Sequence, residues 1–150
     1  MDRRCRGADS RSSEADVGMD RTRFDFERLD VFGVALDAVA MLDELAEDLP
    51  EGRSYIRDQL RRAANSIALN IAEGAGEFAP AEKARFYRMA KRSATECAGQ
   101  VLVCRRLGLI DAPHVDGALD VLQRVIGMLV TLVRRCGDRA LQRIDGPSEA

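Results

Sequence analysis

The sequence predicts an all-α fold, an antiparallel up-down-up-down four-helix bundle. Four segments repeat apolar residues at steps of three and four, and Pro or Gly separates each from the next. Strict strand-like alternation and internal repeats are both missing. A chain of 150 residues is long enough for one domain with a genuine core and too short for two of ordinary size. Composition agrees: 46% hydrophobic residues, only 5% aromatic and no Trp favour helices packed through small and aliphatic side chains.

Residues 1–23 read as a tail. They mix six arginines with five acids and contain no apolar residue larger than Val or Met, so burial cannot offset the entropy of ordering them. Disorder is expected there, and the mixed charge favours a solvated segment over an RNA-binding arm. Met19 offers a second start position. The tail lacks the apolar stretch of a secretory leader, and nowhere do 18 uninterrupted apolar residues occur. A soluble, cytoplasmic protein with no membrane partner is the expectation.

The first helix is expected over Leu29–Leu49. Leu29, Phe32, Leu36, Val39, Leu42, Ala46 and Leu49 follow a bundle seam, and Val31, Val34, Met41 and Leu45 add apolar surface beside it. Its polar line is narrow, with Asp30, Asp37 and Glu44 seven apart, and Pro50 and Gly52 end it. The second helix begins with Ser54 as its cap and ends near Glu73, where Gly74 suits a left-handed stop. Ile56, Leu60, Ala63 or Ala64, Ile67 and Ile71 face inward. The third starts at Pro80, a good first-turn residue, and runs to about Arg106 before Gly108. Its seam is Phe86, Ala90, Ser93, Cys97, Gln100 and Cys104. The fourth runs from about Pro113 to Cys136 on Val115, Ala118, Leu122, Val125, Leu129 and Leu132, with Leu119, Ile126 and Val133 beside them. Residues 24–136 thus make the bundle, and residues 137–150 a frayed tail.

Polar residues interrupt this pattern between the second and third helices. Ser66, Asn70 and Glu73 share one line of the second helix, Asn70 falls on its seam register, and Ser93 and Gln100 do the same on the third, with Glu96 alongside. Buried polar groups need partners, so a shared layer that sets helix register is expected. Ala79 has no side-chain oxygen to cap the third helix. Glu73, across the turn "GAGEFA", is the expected substitute, so that Asn70 and Glu73 fasten that turn.

A catalytic reading would make Glu73 a general base oriented by Asn70, but such sites need a second titrating or nucleophilic partner. The single histidine, His114, is on another loop, and no Ser-His, paired-carboxylate or HExxH pattern occurs. "GAGE" follows a helix and lacks the phosphate-loop pattern. No enzyme activity and no cofactor are therefore expected. Cys5, Cys97, Cys104 and Cys136 form no CxxC, and they read as buried thiols in a reducing compartment rather than as metal ligands.

The net charge of −2 hides a polarity. Residues 24–52 hold nine acids and one base, while residues 79–108 hold seven bases and two acids. Arg85, Arg88 and Arg92 form a stripe on the third helix with Lys91 beside it, and Arg61 and Arg62 sit on the polar side of the second. These six are the candidate nucleic-acid contacts, electrostatic and weakly sequence-specific. The alternative is a solvated face, or one that meets acids such as Asp37 or Glu44 on a neighbouring copy.

The segments "FERLDVFGVAL", "QLRRAANSIALNIAEGAG" and "ARFYRMAKRSATECAGQVLVCRRLGLI", with the final apolar helix, resemble the bacterial four-helix-bundle proteins of 23S ribosomal RNA intervening sequences. The same superfamily includes the accessory variability proteins of diversity-generating retroelements. The likeness covers about residues 24–136, and the second-helix motif is its most specific part. It implies a ring-like homopentamer without enzyme activity, and for the retroelement proteins an RNA, DNA or reverse-transcriptase partner held by basic surfaces. This chain departs from the pattern at Ala79, where a Ser-like cap is usual, and in its acidic first helix.

Overall fold

In the computed structural model of the chain, residues 23–144 are described, so the expected disorder of residues 1–23 falls, Arg23 apart, outside them. Four helices follow one 3-10 turn at Asp25–Arg28: α1, Asp30–Glu47; α2, Ser54–Gly76; α3, Pro80–Arg106; and α4, Ala112–Ile144. Each helix packs on its two neighbours in a closed square, α1–α2, α2–α3, α3–α4 and α4–α1, with no diagonal pair. The links span residues 48–53, 77–79 and 107–111. The longest link, six residues, reaches no more than roughly 22 Å. The 18 residues of α1, the shortest helix, already extend about 27 Å. Consecutive helices therefore run antiparallel. No strand occurs among the described residues.

The inward faces of α2 and α4 are those the spacing predicts. Ile56, Leu60, Ala63, Ala64, Ile67 and Ile71 are buried on α2, and Val115, Ala118, Leu122, Val125 and Leu129 on α4. The two other helices are rotated from expectation. On α1 the buried line is Val31, Val34, Ala35, Ala38, Leu42, Leu45 and Ala46, while Leu36 is 48% exposed. On α3 it is Ala84, Tyr87, Ala90, Ala94, Cys97, Val101 and Cys104, while Phe86 and Gln100 lie half-exposed. In both, alanines take inward places that the seam assigned to larger or polar residues. Small side chains let helix axes approach, and the larger ones are turned to the rim.

Three boundaries differ from the sequence reading. α4 continues through Ile144, so residues 137–144 are helical rather than frayed, and residues 145–150 lie outside the described part. Gly137 costs a helix only about 1 kcal/mol, and the good helix formers after it, with Arg143 in the last turn, carry the helix onward. α2 does not stop at Gly74 in a left-handed turn: Gly74 is helical and buried, and the helix ends at Gly76. A Cβ at Gly74 would lie 2.8 Å from Cε1 of Tyr87 and 3.1 Å from Cβ of Phe86. Glycine is there for close approach of α3, not for a turn.

The third concerns the caps. Glu73 makes no capping bond, and no side chain caps α3. Lys83 holds this turn instead, its Nζ donating to the carbonyls of Gly74 and Ala75 at 3.2 and 2.8 Å. Arg57 does the same for α1, donating from Nε to Ala46 O at 3.0 Å and from Nη2 to Leu49 O at 2.9 Å. The last carbonyls of a helix carry partial negative charge, so a cation from the following helix satisfies both hydrogen bonding and field. Pro80 opens α3 without needing a cap for its own nitrogen. Gly108, at φ +68°, closes α3, with Leu109 N–H donating to Cys104 O at 3.0 Å.

Candidate functional site

The expected polar layer forms at the outer edge of the α2–α3 seam. Ser93 Oγ donates to Ser66 Oγ at 2.9 Å, and Asn70 Nδ2 donates to Ser66 O and Oγ at 2.8 and 2.9 Å. Asn70 is thus fastened to its own helix one turn back, and it does not hold the turn after α2. Glu73 is exposed and stands one turn further along, beside Phe86 and Leu69. Gln100 is only loosely tied in: its Nε2 reaches Glu96 Oε1 at 3.4 Å, and its buried Oε1 has no partner among the described residues.

Above this layer opens a groove of about 710 Å³ between α2 and α3. Ser66, Asn70 and Ser93 line it on one side, and Arg88, Lys91, Arg92 and Glu96 stand around it, with Met89 as its larger apolar surface. The three cations follow from helical spacing, since positions 88, 91 and 92 are neighbours on one face. None has a carboxylate within salt-bridge range among the described residues.

The remaining candidates are not gathered there. Arg61 turns to α1, where Nε donates to Asp43 Oδ1 at 2.6 Å and Nη2 to Glu47 Oε1. Those two hydrogen bonds raise its pKa and tie Arg61 to α1, away from the groove. Arg62 lines an adjoining recess with Asn65, Leu69, Glu73 and Phe86, which shares Ser66 and Asn70 with the groove. Arg85 donates to Glu82 Oε2 at 3.0 Å and lies 4.5 Å over the Phe86 ring. Of six sequence candidates, the structure brings three to one groove.

Cys97, Cys104 and Cys136 are buried free thiols, and burial pushes Cys97 up to about 12. Cys5 lies outside the described residues. Among the described residues, no cluster of three or more His, Cys, Asp or Glu is placed to hold a metal ion, and no helix is long and apolar enough to cross a membrane. Sequence reasoning missed Tyr87, Lys83 and Arg57. The signal for the two cations was their place in the first turns of the helices that follow α1 and α2.

A four-helix square with no charged or polar residue buried among the described residues defines a small all-α module. The chain belongs to the 23S rRNA-intervening sequence protein family, whose model matches residues 27–131. A crystal structure of a protein of unknown function from the S23 ribosomal protein family of Bacteroides thetaiotaomicron is similar. Its TM-score is 0.65 at 17% identity, over 69% of this chain and 98% of that one. At that identity the likeness speaks for the fold. No curated protein matches.

Proposed function

We propose that this chain is a non-enzymatic scaffold or adaptor that works in the cytoplasm as a homo-oligomer, with five copies as the family resemblance implies. One observation carries the reading. Exposed apolar side chains stand outside the bundle in two recesses that meet at Asn65. Leu36, Val39 and Ala40 line one beside Asp43 and Arg61, and Leu69 and Phe86 line the next beside Arg62 and Glu73. Leu69 is 64% exposed and Leu36 nearly half. Single exposed leucines are ordinary on a soluble protein, but two on adjacent helices, each with further apolar side chains beside it, favour association. Replacing Leu36 and Leu69 together with Ser should shift the light-scattering mass toward the 16.5 kDa of one chain. An unchanged oligomer would remove these recesses as the driving surface.

A second reading has its own observation, three cations at the α2–α3 groove with no salt-bridge partner among the described residues. Arg88, Lys91 and Arg92 suit a polyanion, and RNA or DNA held there would be bound mainly through phosphates. A reverse transcriptase as partner belongs to this reading. Gel shifts at rising salt test it: replacing Arg88 and Arg92 with Glu should abolish binding to single-stranded RNA. Binding that persists in the variant would locate the site elsewhere.

A further inference from the structure

We propose that the acidic side of α1 in one copy docks on the basic rim of the α2–α3 groove in a second copy. The inference rests on the self-association proposed above and assigns the two surfaces that meet. In a bundle where only neighbouring helices touch, the α1–α4 and α2–α3 pairs are opposite sides. One carries the acids of α1 and the other the cations of the groove. On the α1–α4 side, Asp30 and Asp37 line a recess with Gly33, Val34 and Met128. Glu44 continues the same line of α1 one seven-residue step on, toward His114 of α4, whose charged form is favoured chiefly by its bond with Asp111 and in lesser part by Asp48 and Glu44.

Asp30, Asp37 and Glu44 are exposed, and none has a cation within salt-bridge range among the described residues. Several cations do face them: Arg124 in that recess, Arg28 and Arg135 in a neighbouring one that Asp30 also lines, and His114 when protonated. On the other side, Glu96 is the acid among the groove's cations. The groove thus keeps a surplus of positive charge and α1 an exposed line of acids, and an intact copy cannot bring the two together. A second copy can.

Asp37 and Glu44 span about 10 Å along α1, and Arg88 and Arg92 about 6 Å along α3, so one side-by-side contact of two helical turns covers both pairs. Apolar contact is available between the charges, from Met128 on one side and Met89, 39% exposed, on the other. The contact uses two different surfaces, so each copy retains a free donor side and a free acceptor side. Such heterologous contacts repeat until they close a ring or extend as a filament. Complementary charge would set partner orientation and rate, while apolar burial holds the assembly.

Charge reversal tests this directly. Arg88→Glu with Arg92→Glu, and separately Asp37→Lys with Glu44→Lys, should each weaken association on the order of tenfold or more. Light-scattering mass would read this at about 0.1 M salt, with circular dichroism melts showing that the bundle remains folded. The variant carrying all four reversals should regain the native mass, because both surfaces have changed sign together. If the native protein associates and the four-fold variant does not recover, or if neither reversal alters the mass, the docking is overturned while self-association stands. Loss of RNA binding with unchanged mass in the Arg88/Arg92 variant would likewise overturn it and give the groove to a nucleic acid. A native protein that is monomeric at every concentration overturns both this inference and the reading beneath it.

Discussion

Gly74 offers the sharpest test of how α2 meets α3. Replacing it with Ala adds one Cβ at a buried helical position, 2.8 and 3.0 Å from two carbons of the Tyr87 ring. That ring is itself buried, at 4% exposure, so it has little room to retreat. Forcing a methyl group into a packed core costs about 1–3 kcal/mol, and exchanging Gly for Ala inside a helix returns about 1 kcal/mol. A contact of 2.8 Å with a buried ring takes the upper part of that cost, about 2–3 kcal/mol, so the net loss should be about 1–2 kcal/mol. For a domain of this size that corresponds to a fall of roughly 3–8 °C in Tm. Asn at the same place separates two explanations. A left-handed stop tolerates Asn better than Ala, whereas a crowded helical contact tolerates it worse. Thermal melts followed by circular dichroism should therefore rank Gly above Ala above Asn. Gly76→Ala is the control, since nothing lies within 4 Å of its would-be Cβ, and it should be neutral or mildly stabilising. A Gly74→Asn protein more stable than Gly74→Ala, or a Gly74→Ala protein as stable as the native chain, would refute the close approach of α3 as the reason for glycine.

Three other perturbations have defined outcomes. Lys83→Met should lower stability by about 1–2 kcal/mol through loss of two charge-assisted bonds to the end of α2, while Glu73→Ala should change it by less than about 0.5 kcal/mol; urea melts would show both. In a Cys5→Ser background, a thiol reagent at pH 8 should leave native Cys97, Cys104 and Cys136 unmodified and label all three in denaturant, since burial raises Cys97 and Cys104. The exposed pair of Asp111 and His114 should give a small pH term. Asp111 is lowered from 3.8, chiefly by its hydrogen bond with His114, and His114 is raised from 6.5 by the same bond. The Asp111 contribution is lost as pH falls through its folded pKa, and the His114 contribution as pH rises through its own, so the pair helps most between those limits. His114→Ala should flatten that part of a Tm–pH profile.

How much of this was readable beforehand varies by helix for physical reasons. α2 and α4 have one dominant apolar face, so spacing alone identified Leu60, Ile67, Leu122 and Leu129 as core. α1 is apolar around most of its girth. The three-four rule then admits several seams, and close packing selected the one with Ala35 and Ala38. On α3, the seam through Phe86 and Gln100 lost to one a single position away, through Tyr87 and Val101. The Ser66–Ser93 contact was foreseeable because both residues are polar on facing seams. The roles of Lys83 and Arg57 were harder to see, because a long side chain reaching back over a turn leaves no periodic trace. The basic stripe was visible as a sequence pattern, but the diversion of Arg61 to Asp43 and Glu47 depends on how α1 lies against α2.

The central claim, that one copy is not the working unit, is tested most directly by sedimentation equilibrium of the native protein from high to low micromolar loading. The expected result is a mass several times 16.5 kDa, five times if the family resemblance holds, falling only on strong dilution or high salt. A mass of one chain throughout that range would contradict it.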